Sequence, residues 1–573
     1  MTTYNSHPFS GDVFYLLGLV LLALDRDEEA YDSFYKASWN NACCSRSMTY
    51  IAAIDGRRKE YRKMLDHSAE AMRHDSENPL AGVLKAAAEY KLGNAEASTR
   101  LTSEILRSDP LNHLARYLYI LATGKDISEF YACLNSSPSQ TCLDLAYNLI
   151  DAGLTKEAAD LLEGLCHYSR NMDTMVYYTL AYLYGKAGHS ERFETAAAKG
   201  RTAQTGGVYP FRLWEWKVLT YILEKYPDDA TALNLLGCLL YDKGHYEEAA
   251  QNWEKGIHAD PDNYMAYRNL AVAYYSHLDR RNEVPGLLRK ALSKHPGDRQ
   301  LIYEISYVMP RLNASQEEKL DFLRRNCKGD PADDIRDDIC IEWAKAYNRN
   351  NQPEKTLQLL QSHTFIPCEG GEHVVAEQYM FAHYNLGRRY LEKGDREQAV
   401  MHFRAAQCLP ENLGAGIWHE AKLVPAQYYE AYCLAQTGET DRAQTIYRHI
   451  LELSVDYFSN MHLSELPYFQ ALSWDGTGNP IRGQLLIRRC LHKWEEECQK
   501  KDSGYFRTTP FFVSYCEDPA TARKAHYKYL IGLANLYLRD KKSAEENLHT
   551  ALLLEPDNLY CWLEWRTLFA YLE

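Results

Sequence analysis

TALNLLGCLLYDKGHYEEAAQNWEKGIHADPDN, Thr231 to Asn263, decides how the whole chain is read. Its apolar residues recur at helical spacing on both sides of Gly244, which predicts two helices joined by a tight turn. Gly237 on the first helix and Ala249 and Gly256 on the second are small, so the two helices can approach closely. Leu236, Leu240 and Trp253 then fill the seam around them. Pro261 stops the second helix because it has no N–H and its ring clashes with the preceding turn. Pro227 precedes Pro261 by 34 residues, a period that marks a repeated helix pair. One such pair cannot bury its apolar face alone, so neighbouring pairs must stack.

The same grammar recurs along the 573 residues. Near the start Phe14, Leu17, Gly18, Ala30, Phe34 and Ala37 occupy corresponding positions. Gly387, Tyr390, Gly394, Ala399, Phe403, Ala406 and Pro410 form another copy, and Gly532, Ala544, Leu548, Ala551 and Pro556 a third. Looser copies lie between them, among them Leu180, Ala181, Tyr184 with Ala197, and Leu270, Ala271, Tyr274 with Ala291. The unit resembles the tetratricopeptide repeat, whose signature positions these residues match. That resemblance implies an all-α fold: a helix-pair solenoid wound as a right-handed superhelix, here with irregular insertions. Five segments are expected: helical repeats over 1–205; an aromatic helix and the best-matching units over 206–300; a bend and further repeats over 301–453; a non-repeat insertion over 454–524; and a last unit with an aromatic closing helix over 525–573. Trp214 and Trp216 lie two apart on one predicted helix, which implies burial on both of its faces.

Bulk properties exclude several functions. A formal charge of −14 opposes a phosphate-binding surface, so no nucleic-acid partner is expected. The apolar run Val13 to Leu24 falls short of the ~20 residues of a membrane span, and it lacks the flanks of a signal peptide. The 15 cysteines are scattered without a CxxC motif, which fits small apolar residues in a reducing cytoplasm. No phosphate loop, GxGxxG, HExxH or GxSxG motif occurs; in WHEAKLV, Leu423 stands where a second zinc histidine would be needed. No cofactor and no catalytic residue are therefore expected.

The segment CEGGEH, Cys368 to His373, carries metal-ligand residue types, but four ligands within six residues of one loop do not close a tetrahedron. It reads as a Gly-Gly reversal that sets Glu372 at the start of the next helix, with Glu369 and Glu372 also placed to touch a partner. PENLGAG, Pro410 to Gly416, follows one unit later, so Glu369, Glu372, His373 and Asn412 form a candidate loop interface on one edge of the array.

The order of DEEAYDSFYKASWN, CEGGEH, FRAAQCLPENLGAG and SELPYF is similar to that in a group of uncharacterised bacterial proteins, in which a tetratricopeptide array follows a β-rich domain like those of carbohydrate-active proteins. Here Phe14 already belongs to a repeat, so the chain is expected to be either a fragment or a shortened relative.

Two functions follow. The first is a non-catalytic scaffold that takes a peptide or protein in the concave groove, contacted through Asn234, Tyr241, Asp242, Arg268 and Tyr275. These residues do not reproduce the Lys/Asn/Arg carboxylate clamp of the chaperone-binding members of that repeat family. The second, implied by the resemblance alone, is a helical accessory of a carbohydrate-processing protein. The last helix, NLYCWLEWRTLFAYLE, is aromatic where an array ordinarily ends on a polar face, and is expected to pack on the 454–524 insertion or on a second molecule.

Overall fold

The computed structural model describes residues 10–134, 137–169, 172–203, 205–327, 336–367, 373–416, 420–454, 464–500, 515–516 and 518–570. These hold thirty α-helices, four short 3-10 helices and no strand ladder, in two units, Met1–Pro261 and Asp262–Glu573.

In each unit consecutive helices pack as pairs and the pairs stack on one another. The small residues do what the repeat requires. A Cβ on Gly237 would lie 2.5 Å from the Trp253 ring, one on Gly18 2.7 Å from Phe34, one on Gly387 2.5 Å from Phe403, and one on Gly532 2.6 Å from Leu548. In all four pairs the bulky residue follows its glycine by the same interval, so a single geometric device is reused in both units. Ala30, Ala249, Ala399 and Ala544 are fully buried beside these contacts.

The turn between helices is equally uniform. Gly244 (φ +81°) and Gly394 (φ +82°) take the left-handed conformation that glycine adopts without a Cβ penalty. The next residue's N–H then reaches back into the first helix, His245 to the Leu240 carbonyl and Asp395 to that of Tyr390, both at 2.9 Å. Asp25 and Arg539 hold the same position with positive φ in the first and last pairs. Pro261 and Pro556 each stand just past a second helix, Tyr246–Ala259 and Lys541–Leu554.

Three expectations need correction. The 454–524 stretch contains a regular pair, Leu466–Gly476 and Pro480–Gln499, stacked between Thr440–Glu452 and Pro519–Tyr537. Its Thr-Gly-Asn-Pro turn reads as a loop in sequence, yet Pro480 sits in the first turn of a helix, where its fixed φ is favourable. Within the expected bend, Arg299–Val308 and Gln316–Asn326 are helices. Trp216 is 38% exposed rather than buried, while Trp214 stacks on Tyr147 with centroids 6.2 Å apart.

The last helix, expected to meet the 454–524 insertion or a second molecule, has other neighbours. The helix Leu559–Ala570 packs on Lys541–Leu554 and on two first helices of earlier pairs in its own unit, Asp337–Arg349 and Val374–Glu392. No residue from Leu554 to Leu568 is exposed. Leu559, Cys561, Leu563 and Leu568 are buried and Tyr560, Trp562 and Trp565 half-buried, so the helix is covered within its own unit.

Candidate functional site

The residues expected to line a groove are largely engaged. Asn234 is 8% and Tyr275 2% exposed, so neither offers a contact surface. The Tyr275 ring meets Tyr515 edge-on at 5.2 Å, and Arg281 covers it. Arg268 donates from Nε to Glu304 at 2.9 Å. Tyr241 packs against Tyr246 and Trp253, and only Asp242 of the five is open to solvent.

Of the loop candidates, Glu369 and Glu372 lie outside the described residues, and His373 immediately precedes Val374–Glu392. Asn412 turns inward: its Nδ2 donates to the carbonyls of Leu360 and His363, both at 2.7 Å, and its own carbonyl accepts from Phe365 N–H at 2.8 Å. Asn412 therefore ties PENLGAG to the segment that leads into CEGGEH, a structural duty in place of the interface role expected of it.

Inside the second unit lies a polar core that pattern reading missed. Lys319, on Gln316–Asn326, donates to Glu342 on Asp337–Arg349, with both side chains excluded from solvent. Lys345 donates to the same carboxylate at 2.8 Å. Arg311 donates to Asp557 at 2.8 Å, and Arg388 to Glu564 at 2.7 Å. Burial alone would raise the Asp557 pKa, but Arg311, Lys319 and Lys345 hold it below the usual carboxylate range. Asp557 and Glu564 belong to the C-terminal segment, so the ion pairs are the means by which the unit holds that segment.

A cleft of about 580 Å³ lies beside Pro353–Ser362, lined by Glu354, Gln358, Gln361, Ser362, Tyr390 and His402. His402 Nδ1 shares a hydrogen bond of 3.0 Å with His383 Nδ1, and His383 Nε2 has no partner. Burial pushes the His383 pKa down to about 4, and the neighbouring His402 pushes the same way. The folded state thus refuses a proton that the unfolded chain accepts near pH 6.5. Stability is complete above that pH and falls as pH drops toward about 4, by on the order of 2 kcal/mol for this residue. Urea midpoints of wild type and His383→Gln at pH 7 and pH 4.5 check this: the variant should lose less of its midpoint on acidification, and equal losses would refute it.

The first unit offers a different surface. The helix Asp12–Ala23 buries Phe14, Gly18 and Leu21 but leaves Val13, Leu16, Val20 and the following Leu24 43% to 60% exposed. Tyr209, Phe211, Leu213 and Trp216 are also exposed. Lys217 pairs with Asp25 and so brings the end of the first helix to the helix Leu213–Lys225. Behind them Asp151 accepts from Arg57 at 2.7 Å and from Trp214 Nε1 at 3.1 Å, tying two more helices to Leu213–Lys225.

Among the described residues no group of three or more His, Cys, Asp or Glu is placed to hold a metal ion, and no helix is long and apolar enough to cross a membrane.

Residues 237–277 match the family model of the TPR repeat. Among solved structures, the chain is similar to yeast Tom70 at 13% identity, covering 77% of this chain and 99% of that one, with a TM-score of 0.24. It is similar to Naa15/Naa10 bound to HypK-THB at 14%, covering 98% and 86%, with a TM-score of 0.25. It is also similar to YrrB, a TPR protein with an unusual peptide-binding site, at 16%, covering 41% and 94%, with a TM-score of 0.16. Superpositions of that quality do not map a site of one chain onto another.

Proposed function

For a chain built of tetratricopeptide repeats, we propose the role of a non-catalytic scaffold that binds a protein partner through the first unit. The observation that carries this reading is the uncovered apolar stripe Val13, Leu16, Val20 and Leu24 on Asp12–Ala23. An exposed contiguous apolar face on a charged protein marks an interaction surface. Of the acids that follow, Asp25, Asp27, Glu28 and Glu29 are paired with Lys217, Arg57, Arg58 and Arg26, so the stripe itself defines the partner, a helix with an apolar face. The groove residues expected from sequence play a smaller part, because four of the five are buried or half-buried and the exposed one, Asp242, pairs with Lys243.

The test compares affinity capture by the full chain and by a Leu16→Glu/Val20→Glu variant. Both positions are open to solvent, so melting should change by no more than about 0.5 kcal/mol. Partners enriched on wild type should be lost from the variant. An identical set captured by both would refute the reading.

A further inference from the structure

The C-terminal segment meets a wall of the second unit through charge and aromatic faces as well as through the buried Leu559, Cys561 and Leu563. Arg311 reaches both Asp557, at 2.8 Å, and Glu555, at 3.5 Å, just before the helix starts. In the first turn of the helix Tyr560 meets Phe381 and Tyr384, each with centroids 5.3 Å apart, and Trp562 meets Phe381 at 6.3 Å. Arg349 stacks over Trp562 at 5.3 Å, and Arg388 closes on Glu564 at 2.7 Å. The wall residues come from Pro310–Leu312, Asp337–Arg349 and Val374–Glu392, and the acids they hold lie far off in sequence.

Buried ion pairs contribute little net stability compared with apolar packing, but they discriminate sharply among occupants, because an unmatched wall arginine is costly. The wall is also incompletely matched. Arg349 Nε and Nη1 have no hydrogen-bond partner, and on the segment neither does Asp557 Oδ1. Pro556 breaks the chain between Lys541–Leu554 and the last helix, so the segment joins the preceding pair through a short irregular link.

From these contacts we propose that this wall of the second unit, built of Pro310–Leu312, Asp337–Arg349 and Val374–Glu392, is a peptide-binding site, filled in cis by residues 555–566. Its ligand class is a short helix with an aspartate just before its first turn, aromatic residues on one face, and a glutamate two turns on. A partner helix of that chemistry competes with the chain's own segment. The site is separate from the apolar stripe of the first unit, and either can fail without the other.

The probe is a fluorescent peptide of residues 555–570, EPDNLYCWLEWRTLFA. The receptor is the full chain carrying Asp557→Asn and Glu564→Gln, which weakens the cis segment and leaves Arg311 and Arg388 in place. The probe should bind this variant roughly tenfold or more tighter than it binds wild type, since each lost charged hydrogen bond is worth at least a factor of that order. A control peptide with the same two neutralisations should bind the variant about tenfold more weakly than the probe does. Equal binding of the probe to a cooperatively melting variant and to wild type overturns the proposal. Should the variant not melt cooperatively, hydrogen exchange on the wild-type chain decides. Saturating probe should then speed exchange of amides 559–568 and leave 541–554 unchanged, and no change in 559–568 overturns the proposal.

Discussion

Replacing Lys319 by methionine should cost the second unit roughly 3–5 kcal/mol, the range found when one partner of a buried ion pair is removed. Lys319 and Glu342 are 0% and 1% exposed at their side chains, so water cannot take over the lost contact. Lys345 still reaches Glu342, which keeps the loss at the lower end of that range. The substitution also removes one of the three cations that hold Asp557 ionised, so the C-terminal segment loosens with it. The measurement is hydrogen exchange of Asp337–Arg349 together with the urea midpoint. A shift below about 1 kcal/mol would show that the pair is a passenger rather than a tie. Adding Glu342→Leu should recover part of the loss. The buried acid that lost one of its two cations is then gone, its repulsion of Asp557 with it, and Lys345 is left free to turn toward Asp557.

The repeat was legible because its signal is local. Gly237 and Trp253, or Gly387 and Phe403, lie within one helix pair, and the small-residue rule that joins them depends only on helix geometry. That Leu559–Leu568 would be covered was legible too, since it is aromatic where an array ordinarily ends on a polar face. What covers it was not. Arg311 and Asp557 are brought together by the winding of the whole unit, and nothing in either neighbourhood names the other. The same limit explains Tyr275, whose place on a first helix predicts exposure, while the distant Tyr515 covers it. Pro480 and Asn412 failed for a different reason: residues that usually mark loops were used inside structure, one to start a helix and one to bridge two carbonyls.

Valine at Gly387 should destabilise the second unit by about 3 kcal/mol or more, at the upper end of the cost of overpacking. The added Cβ would stand 2.5 Å from Phe403, a ring that is fully buried and has no open space into which to move. Gly394→Ala is the contrasting case, because nothing lies within 4 Å of its added Cβ and only the left-handed backbone opposes it. That strain is worth about 1 kcal/mol. If glycine served at 387 merely as a flexible residue, the two variants would cost alike, and valine would gain from its higher helix propensity. Phe403→Ala alone should cost roughly 3–5 kcal/mol through the cavity it leaves. Combined with Gly387→Val it should cost clearly less than the two losses added together, because the valine methyls enter the space the ring vacates. Additive losses would mean that the two residues do not share a contact. The common interval between glycine and ring in both units would then need another cause.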